Sequence, residues 1–206
     1  MRTNQRWFRI SLTLLASPLI FALFAGAGGD DHKETTYRWD LVQIPNSNPP
    51  TAFEGGFGSA LANDGSRITV TGNGTFEPRE PDEVTGGGSW TTYAPDGTTE
   101  TGNGTYRVQQ LVRFDLAPGV LTGTVDNIPG AKGDLTDTRA GLMFVRIAYS
   151  DGSKGVLVFS CGLDGSPAAI FEGITASKGY TDYWNPVQGD ITLFHILSQD
   201  KKRDRE

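Results

Sequence analysis

Glu172 and His195 are the two side chains of this sequence that could do acid–base work together. Residues two apart in a strand share a face. Glu172 therefore aligns with Ile170 and Ile174, and His195 with Ile191, Leu193 and Leu197. If both turned into one cavity, burial would displace their pKa values and give a general acid–base pair of isomerase or cyclase type. The opposing arrangement turns Phe171 and Phe194 inward and leaves Glu172 and His195 to water. Both segments are apolar on both faces, so spacing does not choose between the two. Gln110 is a third case, in line with Val108, Val112 and Phe114. A buried amide there would need a partner in the protein or in a ligand.

Other chemistries lack their residues. With His32 and His195 as the only histidines, a multi-histidine metal site is excluded, and no metal or cofactor is expected. No phosphate loop, Gly-x-Ser-x-Gly elbow or Cys-x-x-Cys pair occurs. Cys161, the single cysteine, sits in the apolar run "VLVFSCGL" with no base beside it and reads as a buried small hydrophobe.

The elements that would position these groups are strands. Asp-Gly pairs at 64–65, 96–97, 151–152 and 164–165 punctuate the chain, and the first three separate strand-like runs. They lack the alternating acidic ligands of a calcium loop and suit tight hairpin turns. About eight strands and no helix are expected.

Three stretches look like copies of one device: "TGNGTF" (71–76), "TGGGSW" (85–90) and "TGNGTY" (101–106). Alternation puts Gly72, Gly74 and Phe76 on one face, and likewise Gly86, Gly88 and Trp90, and Gly102, Gly104 and Tyr106. Inward glycine pairs let a strand coil sharply and leave room for a neighbour's ring. The expectation is a single antiparallel up-and-down barrel over 37–198, with a β-sandwich as the alternative.

"ITVTGNGTF" and "TGNGTYRV" resemble the Gly-rich, aromatic-ended strands of the allene oxide cyclase and dirigent-type barrels, eight-stranded calycin-like folds. The likeness covers roughly residues 67–116, and the whole chain also looks like exported bacterial proteins. The resemblance implies a barrel that binds apolar small molecules, some members steering a cyclisation or coupling. None of their catalytic residues has a counterpart here.

Residues 1–27 read as a cleaved export leader: Arg2, Arg6 and Arg9, an apolar run from Ile10 to Phe24, then Ala25-Gly26-Ala27. An uncleaved anchor is the rival, weakened by Ser11, Thr13, Ser17 and Pro18 in a short run. A flexible segment (28–36) and a charged tail (199–206) flank the domain. The whole chain has 18 basic and 24 acidic residues, and the leader removes three arginines and no acid, leaving a net charge of −9. That surface disfavours nucleic acid and anionic membrane as partners.

Two regions could shape a ligand site. Residues 117–140 form a long connection of the kind that makes lids, plugs or extra edge strands. Tyr180, Tyr183 and Trp184 cluster in "KGYTDYWN" and could stack on a ring. Together with Gln110, Trp90 and Tyr106 they are the expected ligand contacts. The leading expectation is a secreted or periplasmic, non-enzymatic barrel holding a small apolar or aromatic ligand inside. The enzyme built on Glu172 and His195 is one alternative. A module that assembles through exposed rings near 180–184 is the other.

Overall fold

The structure, a computed structural model, describes residues 34–130 and 137–200. The expected leader, His32, most of the 28–36 segment and nearly all of the charged tail lie outside the described residues. Everything described is all-β, with one 3-10 turn at Pro81–Glu83 and no α-helix among the described residues. The strands are β1 (Glu34–Gln43), β2 (Thr51–Glu54), β3 (Phe57–Ala62), β4 (Arg67–Thr71), β5 (Asn73–Phe76), β6 (Gly87–Tyr93), β7 (Glu100–Ala117), β8 (Val125–Asp126), β9 (Thr138–Tyr149), β10 (Lys154–Cys161), β11 (Gly173–Lys178), β12 (Thr181–Pro186) and β13 (Ile191–Asp200).

Thirteen strands replace the expected eight for local reasons. Gly72, at φ +150°, divides the run 67–76 into β4 and β5. "KGYTDYWN" closes a hairpin and supplies β12, and two stretches that read as connections contribute the short β2 and β8. The strands form one mixed sheet. Its ladders are antiparallel except β2 with β8. From β9 the pairing runs through β10, β11, β12, β3, β4, β6 and β7 and returns to β9. A branch, β13 with β1, leaves the first residues of β9 and reaches β5 and β2.

Three Asp-Gly pairs make hairpin turns as expected. Gly65, Gly97 and Gly152 have φ of +84°, +73° and +88°. The preceding aspartates accept hydrogen bonds from Ser66 N, from Thr98 N and Thr99 N, and from Ser153 N. The side chain thus holds the turn that the glycine makes possible.

Directly paired residues share a face, which fixes the inward set. Trp39 faces Phe194 and Gly74, Val70 faces Trp90, and Phe159 faces Met143 and Ile174. All but Gly74 are buried hydrophobics. Rings fill this interior: Tyr37 stacks on Phe76 at 5.2 Å, Phe114 meets Phe194 at 5.3 Å, and Trp39 meets Phe159 at 4.4 Å between centroids. Each fully buried side chain of this size contributes roughly 2 kcal/mol.

The glycines of the repeats do admit close neighbours. A Cβ on Gly102 or on Gly104 would lie 3.3 Å or 3.0 Å from the Trp90 indole, and one on Gly74 would lie 2.7 Å from Trp39 Nε1. The space beside these glycines holds an indole of the protein itself.

Candidate functional site

β7 carries the first correction. Its register slips between Val108 and Gln110 and again between Leu111 and Arg113. Each slip is a bulge that inserts one residue and reverses the alternation. The buried face therefore reads Tyr106, Val108, Leu111 and, half-buried, Phe114. Gln110 is turned to the other face, opposite Arg146, where its amide donates to Asp82 at 3.3 Å. Val112, expected inside, is 54% exposed.

Glu172 and His195 are not brought together. Glu172 sits just before β11 and accepts hydrogen bonds from Gly162 N at 2.5 Å, Thr192 N at 2.6 Å and Thr192 Oγ1 at 3.2 Å. Burial outweighs these donors and pushes its carboxyl up to about 7. Thr192 and Phe194 share the inward face, opposite Leu41 and Trp39. His195 pairs with Arg38 and points the other way. Phe194 is thus inward, as one of the two expected arrangements had it, but His195 does not face water.

What seals His195 is the long connection after β7. β8 docks in parallel on β2, with Val125 N donating to Pro50 O and Asn127 N to Ala52 O. This lays Asp126 over β13, and both side chains are fully buried. The imidazole Nδ1 stands 2.8 Å from Asp126 Oδ2, oblique to the ring N–H and outside hydrogen-bond geometry. Nε2 has no hydrogen-bond partner. Asp126 Oδ1 accepts from Ile128 N at 3.0 Å. On the same face Arg38 clamps Asp40 with two 2.7 Å bonds, reaches Glu54 at 3.0 Å and donates to Pro129 O at 3.1 Å. Burial raises the Asp40 carboxyl despite Arg38. With both side chains fully buried, this cluster is suited to fastening the connection to the sheet.

The expected ligand contacts divide into three kinds. Trp90, Tyr106 and Tyr183 are core residues: the Trp90 indole donates to Thr105 O at 3.1 Å and the Tyr106 hydroxyl to Thr71 O at 2.9 Å. The Lys178 ammonium sits over Trp90 at 4.2 Å and over Tyr149 at 5.1 Å. Tyr180 stands fully exposed at the β11–β12 turn. Trp184, 57% exposed, lines an open cleft of about 350 Å³ with Phe144, Val156, Val158, Thr175 and Asp182. A second cleft of about 480 Å³ continues it across Val156 and Ser177 toward Arg146 and Lys154.

Sequence reasoning missed the wall of this groove opposite Trp184. Its signal was present: Phe144, Val156 and Val158 alternate with inward Val145, Leu157 and Phe159, so β9 and β10 are apolar on both faces. Among the described residues no group of three or more His, Cys, Asp or Glu side chains could hold a metal ion. Cys161 is buried, and its thiol is raised by burial. No family, no curated protein and no solved structure matches this chain.

Proposed function

We propose that this chain is an exported antiparallel barrel that binds a small apolar or aromatic molecule without transforming it. The barrel reading rests on the ladder circuit of eight strands that returns to β9, the strand number of the allene oxide cyclase and dirigent-type folds. Export rests on the sequence of residues 1–27 alone.

The site proposed differs from the one first expected. Rings occupy the inward face, whereas the outer face of β9 to β12 offers an unfilled apolar floor beside an exposed indole. That groove carries the proposal. An exposed Trp beside Val156 and half-buried Phe144 and Val158 is costly surface in water, and ligand sites combine such a floor with a few polar groups at the rim. Catalysis is disfavoured because the two groups suited to it are separated and His195 is sealed.

The test is a titration with the neutral probe N-phenyl-1-naphthylamine. Binding should saturate, and Trp184→Ala should weaken it at least about tenfold with the circular dichroism spectrum unchanged. Saturable binding that ignores Trp184→Ala would place the site elsewhere.

A further inference from the structure

We infer that the outer groove selects an amphipathic monoanion, a carboxylate or sulfonate on an aromatic or long-chain body. The inference rests on the binding reading above and adds the charge of the occupant.

The groove is polarised along its length. At one end stand Arg146 and Lys154, both exposed, and neither has an ion-pair partner among the described residues. Val156 pairs with Arg146 and forms the middle of the floor. Phe144 and Val158, the next pair along the same two strands, continue the floor, Thr175 extends it to β11, and Trp184 on β12 forms the far wall. Asp182 also stands on β12, opposite Ser177 and on the far side of the groove from Arg146. Arg113 belongs to a different arrangement, paired with Asp115 and stacked on the Phe144 ring at 4.4 Å.

This order of charges decides orientation and class. An anionic head at Arg146 gains a charge-assisted, two-pronged contact that a neutral molecule lacks. The same head at the Trp184 end would meet the Asp182 carboxylate. A cationic ligand would face Arg146 and Lys154. Two uncompensated cations in one groove are notable on a chain whose net charge is −6, because they create a local attraction against the global field. From β9 to β12 is three strand spacings, about 14 Å. That length fits two or three fused or linked rings or a medium alkyl chain, with head on Arg146 and far end on Trp184. The free amphiphile is the source favoured: a membrane surface would have to approach the acidic remainder of the molecule as well.

The experiment compares two probes of similar body, 1-anilinonaphthalene-8-sulfonate and N-phenyl-1-naphthylamine, which differ chiefly in the sulfonate. Each is titrated into the protein and into the doubly substituted Arg146→Ala, Lys154→Ala variant, whose altered side chains are exposed and leave the core intact. The sulfonate should bind the unaltered protein more tightly, lose at least about tenfold in the double variant, and weaken as salt is raised. The neutral probe should be unaffected by the double substitution. Dodecanoate should displace the sulfonate.

If both probes bind equally and the double substitution changes neither, the anion inference fails while the groove stands. If Trp184→Ala changes neither probe, the groove itself fails. If phosphatidylglycerol vesicles capture the protein through Arg146 and Lys154 while dodecanoate does not compete, the free amphiphile is overturned.

Discussion

His195 Nδ1 and Asp126 Oδ2 approach to 2.8 Å, and both side chains are fully buried. One residue belongs to β13, the other to a two-residue strand in the middle of a connection, so the pair ties that connection to the sheet. A buried polar pair is weak evidence of net stability, but removing one partner strands the other.

Asp126→Ala should therefore destabilise the protein by about 3 kcal/mol, measured by urea unfolding. The double variant Asp126→Leu, His195→Leu should recover most of that loss, since both stranded polar groups are gone. In the single variant, hydrogen exchange should accelerate first at Val125 N and Asn127 N, the amides that fasten β8 to Pro50 and Ala52. Exchange that accelerates equally across β10 would mean that the pair serves the whole sheet.

Glu172 gives a pH dependence with a defined sign. Its carboxyl is raised from the usual 4.5 to about 7 by burial, so between these values the folded state holds a proton that the unfolded chain releases. Its contribution is complete below pH 4.5, falls as pH rises toward 7 and is absent above. The span corresponds to about 3 kcal/mol. Stability measured from pH 4.5 to 8 should decline over this window, and Glu172→Gln should flatten the profile. The slope is the readout, because the Gln amide cannot accept every hydrogen bond that the carboxylate takes from Gly162 and Thr192. An unchanged slope in the variant would assign the decline to another group.

Much of this was legible in the sequence, and the reasons for the rest are local. Asp-Gly turns at 64, 96 and 151 encode their own φ angles and side-chain acceptors, so the hairpins could be read directly. Alternation holds within β5, β6 and the first half of β7, so Gly74, Gly88, Gly102 and Gly104 lie opposite buried residues as expected, whereas Gly72 and Gly86 fall outside the strands at positive φ. It failed at Gln110, where a bulge with no glycine or proline to announce it reverses the face, and a second bulge restores it by Phe114. It also failed for His195, where the deciding partner, Asp126, lies 69 positions away in a stretch with no strand pattern. Trp184 stands out in the sequence by its type alone. Its exposure came from the hairpin, which turns neighbouring Tyr183 inward.

Lys178 offers a test of what packs over Trp90. Its ammonium lies over two rings and pairs with Asp151, whose carboxyl is lowered to about 2, chiefly by Lys178. Lys178→Met keeps the stem and removes the charge, and should cost about 1 kcal/mol, the range of a partly desolvated cation–π contact. The Trp90 emission should change in the same variant, which loss of a surface ion pair alone would not produce.

Gly88 and Gly102 face the same interior but resist substitution for different reasons. A Cβ on Gly88 would collide with the carbonyl oxygen of Thr71 and stand 2.6 Å from its carbonyl carbon. Backbone of a neighbouring strand cannot yield without opening the β4–β6 ladder. A Cβ on Gly102 would meet the Trp90 ring at 3.3 Å, a side chain able to shift by a few tenths of an ångström. Gly88→Ala should therefore lower stability by more than about 3 kcal/mol or prevent folding, and Gly102→Ala by about 1 kcal/mol, with Trp90 emission shifted in the second. Comparable losses at the two sites, read from thermal unfolding, would mean that strand contact at Gly88 is looser than its backbone spacing requires.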